Sequence, residues 1–78
     1  MKTEGIKAHI ARIIPLHSTS TLKDFHKSIR EGLMTEDALP AEAPRRHGFR
    51  EYADFRWESD AIEAELESRG ESFVAIAW

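Results

Sequence analysis

The sequence predicts an α+β domain: a small two- to three-stranded sheet with two helices packed on one face, in the order β-α-loop-α-β. Two observations lead there. Residues 6–14 and 72–78 alternate in the two-residue period of a strand, and the segments 21–31 and 59–69 carry helical spacing and helix-forming residues.

In the first segment, Ile6, Ala8, Ile10, Arg12 and Ile14 alternate with Lys7, His9, Ala11 and Ile13, and Pro15 removes the next ladder donor. Ser18-Thr19-Ser20-Thr21 then offers several helix caps. Thr21 is the expected cap, because Asp24 stands at the third helical position in a short capping box. Leu22, Phe25, Ile29 and Leu33 form one apolar stripe, and Gly32 marks the expected stop of a helix over about 21–31.

Residues 33–48 read as a long connecting loop, with a capped turn near Thr35-Glu36-Asp37 and extended backbone around Pro40 and Pro44. From Phe49 two periods compete. Alternation puts Phe49, Glu51, Ala53, Phe55 and Trp57 on one side of a strand, whereas helical spacing aligns Tyr52, Phe55, Ile62 and Leu66. The expected compromise is extended backbone over 49–53 and a helix that starts between 54 and 59 and closes at Gly70. Ser72 to Trp78 is the second strand, with Val74, Ile76 and Trp78 on its heavier face.

The 78 residues make a single small domain, short enough that self-association or a partner is expected to add stability. There is no cysteine, and the longest early apolar run, Ile13-Ile14 before Pro15, is far below a signal-peptide core or a membrane span. A cytoplasmic, membrane-free protein is the expectation.

Charge is the most informative feature. Residues 1–50 hold nine Lys and Arg against six acids, while residues 51–78 hold two Arg against eight acids. Such a chain is expected to meet a partner through an electrically polarised surface.

Few residues suggest chemistry. His9, His17, His26 and His47 lack the spacing of a helical zinc motif, so no metal and no cofactor are expected. The hydroxyls at 18–21 are explained by capping, and the four glycines are isolated, with no nucleophile elbow or phosphate-cradling loop. The chain is therefore expected not to be an enzyme.

The acids of the second helix, among them Glu58, Glu63 and Glu67, are either a solvated face or a docking face for a basic surface. Trp57 and Trp78 fit no principal stripe, which makes each either core or an interface anchor; Trp78, the final residue, would need a cation such as an arginine for a buried carboxylate. Lys23, Lys27 and Arg30 form a basic stripe at i, i+4 and i+7, extended by Arg45 and Arg46. Direct nucleic-acid binding there is disfavoured by the acidic total.

The stretch Arg56-Trp57-Glu58-Ser59-Asp60-Ala61-Ile62, through Leu66 to Gly70, loosely resembles a helical segment in the C-terminal region of cysteinyl-tRNA synthetases. The resemblance implies only the helix and its end, since none of the synthetase nucleotide-binding signatures is present. In size the chain is similar to stand-alone phage and mobile-element proteins, including anti-CRISPR inhibitors. The expected role is accordingly a small inhibitor or adaptor docking its acidic helix on a larger, basic, nucleic-acid-handling protein or ribonucleoprotein. The alternatives are a self-assembling structural subunit, basic half against acidic half, and a direct nucleic-acid binder through the first helix.

Overall fold

The computed structural model describes residues 2–78, and its regular elements are all helical: α1 (Lys2–Ile13), a 3-10 turn (Ile14–Leu16), α2 (Thr19–Asp37) and α3 (Ala53–Ser68). The predicted α+β class is wrong, because no strand or sheet occurs among the described residues.

The expected first strand is helix α1. Ile6, Ile10 and Ile13 are spaced by four and three as well as lying near an alternating pattern, so the same isoleucines satisfy a helical stripe. Lys7, Ala8, Ala11 and Arg12 are strong helix formers, and they outweigh the modest cost of β-branching. Pro15 falls in the first positions of the 3-10 turn, where its missing N–H costs nothing.

Helix α2 is longer at both ends than the expected 21–31. Ser18, not Thr21, is the cap: its Oγ accepts from the Thr21 N–H at 3.1 Å. Gly32 does not end the helix, which runs on to Asp37, so the first third of the expected loop is helical. Gly32 is there for close approach. A Cβ at this position would lie 2.5 Å from two ring atoms of Phe49.

Helix α3 starts at Ala53, earlier than the expected 54–59, and residues 49–51 form a turn rather than extended chain. Its end is as expected. Gly70 takes the left-handed conformation at φ +76, and Glu71 N–H bonds back to Leu66 O at 2.9 Å. The second expected strand, 72–78, has no ladder partner, because the segment that should have paired with it is α1.

The helices lie side by side with α3 in the middle. Helix α2 runs antiparallel to it, since Arg69 reaches Thr19 while Gly32 faces the Phe49–Phe55 end. Helix α1 runs alongside α3 in the same sense, with Lys7 over Trp57 and Ala11 and Ile14 beside Ala61 and Ala64. Both outer helices pack on α3, giving a flat body of 39 × 33 × 17 Å.

The core is Ile14, Leu22, Ile29, Leu33, Phe49, Ile62, Leu66 and Ile76. Two of these, Phe49 and Ile76, come from outside the helices, and a carboxylate fastens each segment. Glu36, only 5% exposed, accepts from the main-chain N–H groups of His47, Gly48 and Phe49 at 2.6, 3.1 and 3.2 Å. Glu63 Oε2 accepts from Ile76 N–H at 2.9 Å and contacts His26 Nε2 at 2.8 Å. The carboxylates thus satisfy donors of non-helical backbone that no ladder serves.

Two alanine substitutions separate close approach from helix propensity. Gly5→Ala in α1, where a Cβ meets nothing within 4 Å, is expected to raise stability by about 0.5–1 kcal/mol. Gly32→Ala is expected to lower it by about 1–3 kcal/mol, because the buried Phe49 ring must move. Urea titrations of the two variants check the opposite signs.

Candidate functional site

An apolar cleft of about 380 Å³ opens on the α2–α3 seam, lined by Phe25, Ser28, Ile29 and Gly32 of α2, Phe55 and Glu58 of α3, and His47 and Phe49 of the loop. The loop forms its end wall because Glu36 holds residues 47–49 in place. Burial pushes the Glu36 carboxyl up, but three main-chain donors and the nearby His47 outweigh that and hold it below the ordinary carboxylate range. The Phe49 ring packs tilted against Phe55 at 4.5 Å between centroids and meets His47 edge-on at 5.1 Å. Phe25, 39% exposed, lies at the other end and meets His17 edge-on at 5.4 Å.

Glu58 is the charged residue of α3 in this cleft. Among the described residues it makes no hydrogen bond and no ion pair, although it is half-buried. Burial pushes its carboxyl above the ordinary range, only partly offset by His17. A carboxylate so placed lacks full hydration and has no ion-pair partner in contact with it. Ser28, His47 and Glu58 share the lining, yet no hydrogen bond joins any two of them, so the contact that would activate a hydroxyl is not made.

The other acids named from sequence are placed differently. Glu63 is committed to His26 and the Ile76 N–H, which leaves it inside the fold. Glu67 is exposed near the far end of α3. Glu65, in the same series, pairs with Arg69 at 2.8 Å, and Arg69 also donates to Thr19 and to the carbonyls of Pro15 and His17. Trp57 faces α1, with Lys7 Nζ 5.3 Å from its ring, and so lies away from the cleft. Trp78 is half-buried: its indole N–H donates to Ser59 Oγ at 3.2 Å, and its main-chain oxygen accepts from the Arg50 guanidinium.

Arg50 also makes a two-pronged contact with Asp37, both distances 2.9 Å, which lowers the Asp37 carboxyl and raises the guanidinium. Of the basic residues, Lys23 pairs with Glu71 at 2.8 Å, Arg45 donates to the carbonyls of Pro40 and Ala43, and Arg46 is exposed. Lys27 and Arg30 make no ion pair among the described residues. The acids expected to share one solvated or docking face are therefore divided, with Glu63 and Glu65 engaged in internal pairs. Phe25, Phe55 and Phe49, by contrast, converge with Glu58 through long-range packing that spacing along the chain does not encode.

A raised carboxyl means that the neutral form is favoured by folding. The stability a protonated Glu58 contributes is fully present below the ordinary carboxyl value and is lost as pH rises through the raised one. Glu58→Gln is thus expected to raise the Tm at pH 7 by roughly 2 °C, since solvent screening limits a half-exposed group. The gain should vanish at a pH below the ordinary carboxyl range. Thermal melts of both proteins across pH check this; a Gln variant less stable than the parent at pH 7 contradicts it.

No family model matches this chain, and no curated protein or solved structure is similar enough to it to count as a match, so the reading of the cleft stands on geometry alone.

Proposed function

We propose that the chain is a small non-catalytic binding protein that docks on a basic partner surface, with the α2–α3 cleft receiving a Lys or Arg side chain. One observation carries this: Glu58 is a half-buried carboxylate with no cation of its own, at the wall of an apolar cleft. A long basic side chain fits that arrangement, because its methylene stem is apolar and its tip is charged. Phe25, Phe55 and Phe49 would cover the stem, and Glu58 would meet the tip. An inhibitor or adaptor acting on a larger, basic, nucleic-acid-handling machine is the class of role such a surface fits. Relative to the expectation from sequence, the docking surface narrows from a whole acidic helix to one carboxylate in a cleft, with Glu67 at the exposed periphery.

A second reading, self-assembly, has one observation in its favour. Among the described residues the tail from Ser72 to Trp78 has a single main-chain N–H, that of Ile76, bonded within the chain. The remaining donors and the exposed Val74 offer an unpaired edge of strand-like composition to another copy. Sedimentation over a range of concentration distinguishes the two: a monomer throughout removes self-assembly.

The docking reading is tested with two amidated heptapeptides, each a central residue flanked by three alanines and leucines on either side, the central residue being arginine or its neutral isostere citrulline. The arginine peptide is expected to shift the NMR signals of Phe25, Phe55 and Glu58 saturably. Citrulline, or Glu58→Gln in the protein, is expected to weaken binding by about tenfold and to flatten its salt dependence. Equal affinity for both peptides, or an unaffected Glu58→Gln variant, removes the reading.

A further inference from the structure

The basic stripe of α2 is not a flat solvated face. The C-terminal tail crosses beside it and turns it into a cleft of about 170 Å³, with Lys23, His26, Lys27 and Arg30 on one wall, Leu66 below, and Ser72, Phe73 and Val74 opposite. This cleft shares no residue with the Glu58 cleft.

Its hydrogen-bonding groups are unbalanced towards donors. Lys23 already has Glu71, and His26 has Glu63. Lys27 and Arg30 have no carboxylate among the described residues, and Arg30 Nε is buried with no acceptor at all. Nε itself has almost no exposed area, so an acceptor entering the cleft engages Arg30 through the charge of its guanidinium. The opposite wall is formed by Ser72, Phe73 and Val74, and neither the Ser72 hydroxyl nor the main-chain N–H of any of the three is bonded within the described chain. Two free cations, a hydroxyl and main-chain donors around one small space call for a ligand made of acceptors carrying negative charge.

We propose that the α2–tail cleft binds a single phosphate group, either the inorganic ion or the phosphate of a small phosphomonoester. Size and surroundings favour one phosphate over a polynucleotide. The cleft has room for one tetrahedral oxyanion and a short stem. Both ends of the basic stripe are closed by acids, Glu71 beside Lys23 and Asp37 two turns beyond Arg30, so a continuous phosphodiester backbone would meet carboxylates at either end. Lys27 and the Arg30 guanidinium hold the oxygens by charge-assisted hydrogen bonds, and Ser72 with the tail N–H groups closes the other side. The bound ion would bridge α2 to the tail.

The test titrates the full chain with inorganic phosphate, phenyl phosphate and a ten-nucleotide single-stranded DNA, each at ionic strength fixed with sodium chloride, following backbone NMR signals and Tm. Saturable shifts at Lys27, Arg30, Ser72 and Phe73, with a Tm that rises with phosphate concentration, are expected. Lys27→Gln and Arg30→Gln should each weaken phosphate about tenfold, Arg30→Lys should restore only part, and Arg45→Gln, outside the cleft, should change nothing. If both phosphate and phenyl phosphate bind, the site takes phosphomonoesters; if only phosphate binds, it takes the free ion. An effect that chloride reproduces, shifts that never saturate, or DNA binding that outcompetes both phosphates overturns the proposal. Because Lys27 is on the surface and Arg30→Lys keeps the charge, misfolding does not account for weakened binding in all three variants, and the Tm of each without phosphate checks this.

Discussion

Three helices laid side by side, with α3 between α1 and α2, cannot enclose a core. In a body 17 Å thick every helix has two broad faces, and only its edges are covered by neighbours. The apolar residues that point out of the layer must be covered by chain that is not helical, and such chain brings unpaired N–H groups with it. Everything else in the molecule answers this constraint. The loop supplies Phe49 and the tail supplies Ile76, and the cost of their backbone donors is offset by Glu36 and Glu63. Acidic residues act here as internal fasteners, a role in which a carboxylate exceeds any neutral side chain because it accepts several bonds at once and strengthens each.

How much of this was legible in the sequence varies by segment, for physical reasons. Leu22, Ile29 and Leu33 declare α2 because three contacts at helical spacing have no other explanation, and Gly70 declares the end of α3 because it is followed by strand-like, not helical, residues. The class failed at Ile6, Ile10 and Ile14, where a step of four residues satisfies both periods, and propensity had to decide. The tail failed differently. Phe73 to Trp78 has strand composition but forms no strand, because composition does not supply a neighbour, and pairing is never local information. Gly32 was read as punctuation because a sequence shows what a glycine permits and not which ring approaches it. The Glu58 cleft was half legible: the acid was singled out, but the phenylalanines around it meet only in three dimensions.

Separation of charge along the chain does not survive folding intact. Asp37 meets Arg50, Glu71 meets Lys23, Glu65 meets Arg69, and Glu63 meets His26. Two of these, Arg50–Asp37 within the basic half and Arg69–Glu65 within the acidic half, join partners from the same half, and Lys23–Glu71 and His26–Glu63 cross between halves. A charge count over thirty or fifty residues therefore describes the long-range field and says little about any one face.

What remains after the pairs are removed is more selective than the count. Glu36, Glu63 and Glu58 are the same functional group in three settings. Three main-chain donors hold the first below its ordinary titration range, a main-chain N–H and an imidazole engage the second, and burial without a partner raises the third. The first two explain themselves as structure, since removing either would orphan buried donors. Glu58 has no such explanation, and neither has Arg30 with its buried, unaccepted Nε. Among the described residues, an acid and a base thus stand on separate clefts without the internal partners that Glu36 and Glu63 have, and the fold alone gives no reason for either.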